Sequence, residues 1–155
     1  MRTSVDVHNF LLERDVPHEF VRTRGRLREP ERLAAVLGLP PNQVGKVELF
    51  EASRGRLVAA LVPAGRSADP RKVARAIPTA TLQEVGPDRT TDLTEYLPEA
   101  LPPVGLPNGT VAIVDRSLSD QEILYFPGGE TSSVLKIRAG DLVRATSGKV
   151  ARVAR

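Results

Sequence analysis

Four stretches of this chain carry groups suited to chemistry. Lys46 lies near the start of an alternating apolar run, Val44-Gly45-Lys46-Val47-Glu48-Leu49-Phe50, and lysine is scarce beside arginine here. A lysine offers a compact ammonium with three donors to one cluster of oxygens. Gly45 beside it would leave room for a ligand to approach the backbone; the alternative is a solvated lysine next to Glu48. Phe126-Pro127-Gly128-Gly129-Glu130-Thr131-Ser132-Ser133 follows a second apolar run. Paired glycines permit positive φ, so the Gly128 and Gly129 amides could face an acyl or phosphate oxygen, or form only a hairpin turn. Asp115 follows Ala112-Ile113-Val114 and could bind a ligand or cap a turn. Finally, Pro98-Glu99-Ala100-Leu101-Pro102-Pro103-Val104-Gly105-Leu106-Pro107 is a loop stiffened by its prolines. Such a loop at a strand mouth is either a binding wall or a rigid connector.

Other chemistries find little support. The chain has no cysteine, which removes disulfides and thiolate metal sites and fits a reducing cytoplasm. His8 and His18 are the two histidines, and neither has a partner at metal-ligand spacing. No Gly-x-Ser-x-Gly elbow and no Gly-x-Gly-x-x-Gly fingerprint occurs. Ser147-Gly148-Lys149 is not a P-loop, because Gly140 lies too far upstream and no Ser or Thr follows the lysine. No metal or cofactor is expected.

The net charge of +3 is unevenly spread. Arg22, Arg24, Arg26 and Arg28 crowd one segment, and residues 136–155 hold Lys136, Arg138, Arg144, Lys149, Arg152 and Arg155 against Asp141. Residues 84–99 are acidic, with Glu84, Asp88, Asp92, Glu95 and Glu99 against Arg89. Clustered arginines suit phosphate, since each planar fork binds two oxygens; a solvated face is the alternative. Aromatic residues make up only 4%, which disfavours a single-strand stacking platform. Residues 1–15 lack the apolar core of a signal peptide, and no run is long enough to span a membrane.

The elements that must position these groups follow from periodicity. A helix capped by Ser4 runs to about Arg14, with Val7, Phe10 and Leu11 on one face. Residues 16–22 are extended. Glu29-Pro30-Glu31 opens a second helix that buries Leu33, Val36 and Leu37 and ends at Gly38. Residues 44–52 and 57–62 form a hairpin around Ser53-Arg54-Gly55-Arg56. Asp69 caps a helix over residues 69–77, and residues 91–97 form a short helix before the proline loop. Further strands are expected at residues 111–114, 123–126, 134–137 and 150–153, with a helical turn at 140–144. The mixture lacks a βαβ rhythm. It implies one α+β domain over residues 1–155, a mixed, mostly antiparallel sheet with flanking helices.

Taken in order, Lys46 in its strand, the Pro98–Pro107 loop leading into Val111-Ala112-Ile113-Val114-Asp115, and Gly128-Gly129 resemble the YbaK and prolyl-tRNA synthetase editing-domain family. The resemblance implies a cytoplasmic trans-editing deacylase that hydrolyses the ester of a mischarged tRNA with water, without metal or covalent nucleophile. Lys46 would hold the terminal phosphate or ribose. Ala100, Leu101, Pro102, Pro103, Val104, Gly105, Asp115, Gly128, Gly129 and Ser132 would line the substrate site. Implied partners are the tRNA acceptor end and an aminoacyl-tRNA synthetase, with no membrane. Glu99 stands where the family's loop has glycine, and Glu95 where relatives often have one. If Glu99 must adopt a glycine-only conformation, it costs about 1 kcal/mol or more. The competing expectation is a non-catalytic tRNA- or synthetase-binding module.

Overall fold

The computed structural model describes residues 1–26 and 29–155. Its elements are α1 (Ser4–Glu13), β1 (Glu19–Arg22), α2 (Leu33–Leu37), β2 (Gly45–Ala52), β3 (Leu57–Pro63), α3 (Pro70–Ala76) and β4 (Leu82–Glu84), followed by α4 (Pro87–Thr94), β5 (Val111–Asp115), α5 (Arg116–Ser119), β6 (Ile123–Pro127), β7 (Ser133–Arg138), α6 (Ala139–Thr146) and β8 (Lys149–Ala151). They build two sheets. One is antiparallel with order β1-β7-β6; the other is mixed with order β4-β2-β3-β5-β8. In the mixed sheet β2 runs antiparallel to β3 and β4, while β3, β5 and β8 are parallel. A bridge between Val44 and Tyr125 joins the sheets where β2 begins. The α+β class with a mixed sheet and flanking helices matches the expectation.

The central strand explains the core. All seven residues of β3 are buried. With a side-chain period of two, Leu57, Ala59 and Leu61 pack with α1, β6, β7 and α6, while Val58, Ala60 and Val62 pack with α3 and Val153. A strand covered on both faces carries an unbroken apolar run rather than an alternating one.

Several local expectations shift. Thr3, not Ser4, caps α1: its hydroxyl accepts from Val5 N–H while Asp6 accepts from Thr3 N–H, a reciprocal arrangement that fixes the first turn. The extended segment contributes only Glu19–Arg22 to a sheet. A 3-10 turn, Pro30–Arg32, precedes α2, which buries Leu33 and Ala34 and leaves Val36 57% exposed. The short helix starts earlier than expected, at Pro87, because proline suits a first helical position. The last strand ends at Ala151. Of the clustered arginines, Arg22, Arg24 and Arg26 are exposed, and Arg28 lies outside the described residues.

Candidate functional site

Among the described residues, the first half of β2 has no strand partner on the side where β4 pairs. β4 pairs with β2 over Phe50–Ala52, and Val85 N–H donates to Leu49 O, but β4 reaches no further toward the start of β2. Beyond that point the Val47 edge faces a cleft of about 440 Å³ whose walls include Lys46, Glu31, Glu48, Glu99 and Leu101. A neighbouring cavity of about 460 Å³ shares Val47, Glu48 and Leu101 and continues to Glu84 and Thr90. These volumes suit a small organic group.

Lys46 is held by carboxylates on both sides. Its Nζ lies 3.2 Å from Glu31 Oε1 and 3.6 Å from Glu48 Oε1, and its side chain is 15% exposed. Lys46 and Glu48 are two residues apart on one strand and so share a face. Glu48 is anchored in turn, because its Oε2 accepts from Ala68 N–H at 2.8 Å. Gly45 does not open space for a ligand. A Cβ at that position would collide with the Phe126 ring, so the glycine serves core packing.

The proline loop divides between two places. Pro98–Ala100 is a 3-10 turn whose start, with Pro98, Glu99 and Leu101, lines the Lys46 cleft. Its later residues, Pro103, Val104 and Gly105, line a separate cavity of about 200 Å³ with Phe10 and Arg14. Ala100, Leu101, Pro102, Pro103 and Val104 are buried. Glu99 has ordinary backbone angles: the non-glycine residues with positive φ are Asp15, Arg54, Glu95 and Ser147 among those described. The expected strain therefore falls on Glu95, at φ 65 and ψ 15 where α4 ends, rather than on Glu99. Gly105, at φ 74, passes close to the buried Tyr96 hydroxyl. Burial pushes the Tyr96 phenol up to about 12, with Asp6 adding to the effect.

Gly128 and Gly129 form the β6–β7 hairpin turn, and their amides are committed inside the fold. Gly128 N–H donates to Ser133 O at 2.9 Å and Gly129 N–H to Ala100 O at 3.0 Å. Of the two readings of these amides, the hairpin turn describes their contacts, and neither is left to face a ligand oxygen. A Cβ on Gly129 would lie 2.9 Å from the Thr3 carbonyl, so this glycine lets α1 dock. Ser132 contributes its carbonyl to Thr23 N–H at 2.9 Å. From this hairpin it is Pro127 that reaches the cleft.

Asp115 is a buried fastener. It accepts from Val153 N–H at 2.8 Å, Ala154 N–H at 2.9 Å, Ser117 N–H at 3.1 Å and the Ser117 hydroxyl. Burial alone would raise its pKa, but the Ser117 hydroxyl and the amides of Ala154, Val153 and Ser117 together hold the carboxyl below its ordinary range. The turn reading of Asp115 thus describes its contacts. The two histidines, which show no metal-ligand spacing in sequence, meet at the surface: His8 Nδ1 lies 2.8 Å from His18 Nε2, with Phe20 edge-on to both rings.

Sequence reasoning missed Glu31, Pro87 and Pro127 as cleft residues. Glu31 arrives from a turn, Pro87 from a helix start and Pro127 from the end of β6, and no local pattern links them to Lys46. Glu48 was legible only through its two-residue spacing from Lys46.

The family model for the aminoacyl-tRNA editing domain matches residues 26–145. Among solved structures, the hypothetical protein APE2540 is similar at TM-score 0.90 and 23% identity, over 97% of this chain and 99% of that one. A candidate trans-editing enzyme for prolyl-tRNA synthetase is similar at TM-score 0.86 and 21% identity, over 98% and 96%. A candidate signal-transduction protein from Marinobacter aquaeolei VT8 matches at TM-score 0.69 and 17% identity, over 97% of this chain but 30% of its own.

Proposed function

The chain belongs to the aminoacyl-tRNA editing domain family, and from that premise we propose that it is a trans-editing deacylase acting at the Lys46 cleft. One observation carries the reading: Lys46 and the start of the proline loop, separated by some fifty residues in sequence, line one cleft. In the proposed reaction water attacks the acyl carbonyl carbon. The bond from that carbon to the ribose oxygen breaks, the proton passes to the ribose oxygen, and free amino acid and tRNA leave. Lys46 turns from Glu31 and Glu48 toward the terminal phosphate or ribose. The Pro98–Ala100 turn leaves the Glu99 N–H outside its own hydrogen bonds, Ala100 N–H and Leu101 N–H being used within it. That amide is the proposed donor to the developing oxyanion. The family's glycine supplies an N–H at this position, and glutamate retains one. Because an ester is already activated, positioning and one or two donors supply much of the rate.

A panel of tRNAs mischarged with Ala, Ser or Cys tests this. At least one should be deacylated, and Lys46→Ala should slow that reaction ten-fold or more, since a charge-assisted contact contributes about 1.5–3 kcal/mol. Full activity of that variant would remove Lys46 from the mechanism.

The carboxylates around Lys46 favour a second reading, a binding module without turnover. On that reading the whole panel stays uncleaved, and Glu99→Gly gains hydrolysis by relieving the cleft of one negative charge. A synthetase is the further partner this reading proposes.

A further inference from the structure

The basic run near residue 155 joins a second basic segment in space. Ala68 and Ala154 form an antiparallel bridge, Asp69 N–H donates to Val153 O at 2.7 Å, and Arg155 N–H donates to Ser67 O at 2.8 Å. Long side chains tie the two segments further: Arg66 Nε donates to Arg155 O at 2.9 Å, Lys72 Nζ to Ala154 O at 2.9 Å and Lys149 Nζ to Ala76 O at 2.9 Å. On α3, Val73 is buried while Arg71 and Arg75, one turn apart, are exposed. Arg66, Arg71, Lys72, Arg75, Lys149 and Arg155 therefore share one face, and none is ion-paired with an Asp or Glu side chain among the described residues. The acids bordering it, Asp69 and Glu48, are engaged with the backbone amides of Arg71 and Ala68. Glu48 also contacts Lys46, so the face begins where the cleft ends.

We propose that this face holds the phosphate backbone of the acceptor-stem duplex while the acylated 3′ end lies in the Lys46 cleft. Cations that lack Asp or Glu side-chain partners among the described residues, set in a contiguous array, suit a polyanion, and arginine suits phosphate by its planar fork. The acidic cleft would in turn repel the duplex, so the stem is drawn to the basic side of Glu48 and only its end enters. The proposal rests on the editing reading of the cleft, and the test separates the two.

The probe is an uncharged RNA minihelix of acceptor-stem sequence with a single-stranded CCA end, its binding followed by fluorescence anisotropy from 50 to 200 mM salt. The variant Arg71→Glu/Arg75→Glu/Arg155→Glu should bind at least ten-fold more weakly. Its log–log salt slope should flatten by about 2 to 3, near one unit per lost phosphate contact. The control Arg54→Glu/Arg56→Glu, at the β2–β3 hairpin, should bind as the parent does. On mischarged tRNA the triple variant should lose at least ten-fold in kcat/KM, with aminoacyl-adenosine hydrolysis unchanged. Equal losses on both substrates, or equal weakening by the control, would overturn the proposal. So would intact minihelix binding with lost binding to polyglutamate, which assigns the face to an acidic protein. If the parent deacylates nothing but minihelix binding still depends on this face, the surface stands and the editing reading of the cleft fails. Arg71→Ala/Arg75→Ala, milder toward folding, should show the same ordering at smaller size.

Discussion

Gly129 N–H donates to the Ala100 carbonyl at 3.0 Å, so the hairpin turn and the proline loop are one mechanical unit. The same glycine, at φ 100, lies under the Thr3 carbonyl at the start of α1.

Gly129→Ala should therefore destabilise the fold rather than act on chemistry alone. The added Cβ meets backbone at 2.9 Å in a conformation unfavourable to L residues. A loss of about 2 kcal/mol or more is expected, equivalent to about 4–8 °C in Tm. A thermal melt matching the parent would refute the packing role.

Glu31→Gln should release Lys46 without touching the strand. The Lys46–Glu31 pair spans 3.2 Å and Glu31 is 49% exposed, so its stability contribution is under about 1 kcal/mol. Deacylation should then show KM falling several-fold with kcat little changed, because the lysine no longer leaves a carboxylate to meet substrate. A raised KM would instead make Glu31 part of substrate binding.

Asp115 gives stability a pH dependence. Its folded pKa lies below the ordinary 3.8, so the unfolded chain binds the proton more readily. The stabilisation is present in full above the unfolded value and is lost as pH falls through the lowered folded value. Asp115→Asn should cost about 2–3 kcal/mol at neutral pH, since an amide nitrogen would face N–H donors, and the variant should lose less on acidification below pH 4 than the parent. Parallel acid-denaturation curves for the two would contradict this.

Glu95→Gly should stabilise. Glu95 closes α4 in the left-handed conformation, which costs a non-glycine residue about 1 kcal/mol, and its exposed pairing with Arg2 returns little. A Tm rise of about 2–4 °C in calorimetry is expected; a fall would mean the Arg2 contact outweighs the backbone strain.

Elements with strong local signals were legible in the chain. Asp69-Pro70 starts α3 and Gly38, at φ 67, stops α2, because a cap oxygen, a fixed φ and a missing Cβ act within a turn. The β2–β3 pairing was equally legible from two apolar runs around a tight connection. The roles of Gly45 and the histidines, and the long-range contacts of Asp115, were not. Gly45 answers to Phe126, Asp115 to Val153 and Ala154, and His8 to His18. Those partners are set by how β6, β8 and α1 pack, which no local spacing encodes. The cleft shows the same division: Lys46 and the loop had signatures, whereas Glu31 enters from a turn on the far side.

Glu99 lines the Lys46 cleft from a turn free of positive-φ strain. A cleft-lining position with no backbone strain is one where natural variation and directed evolution can sample many side chains at little cost in stability. A library randomised at residue 99 should therefore yield mostly folded proteins, and on the deacylase reading proposed above its members should differ in which acyl group they accept.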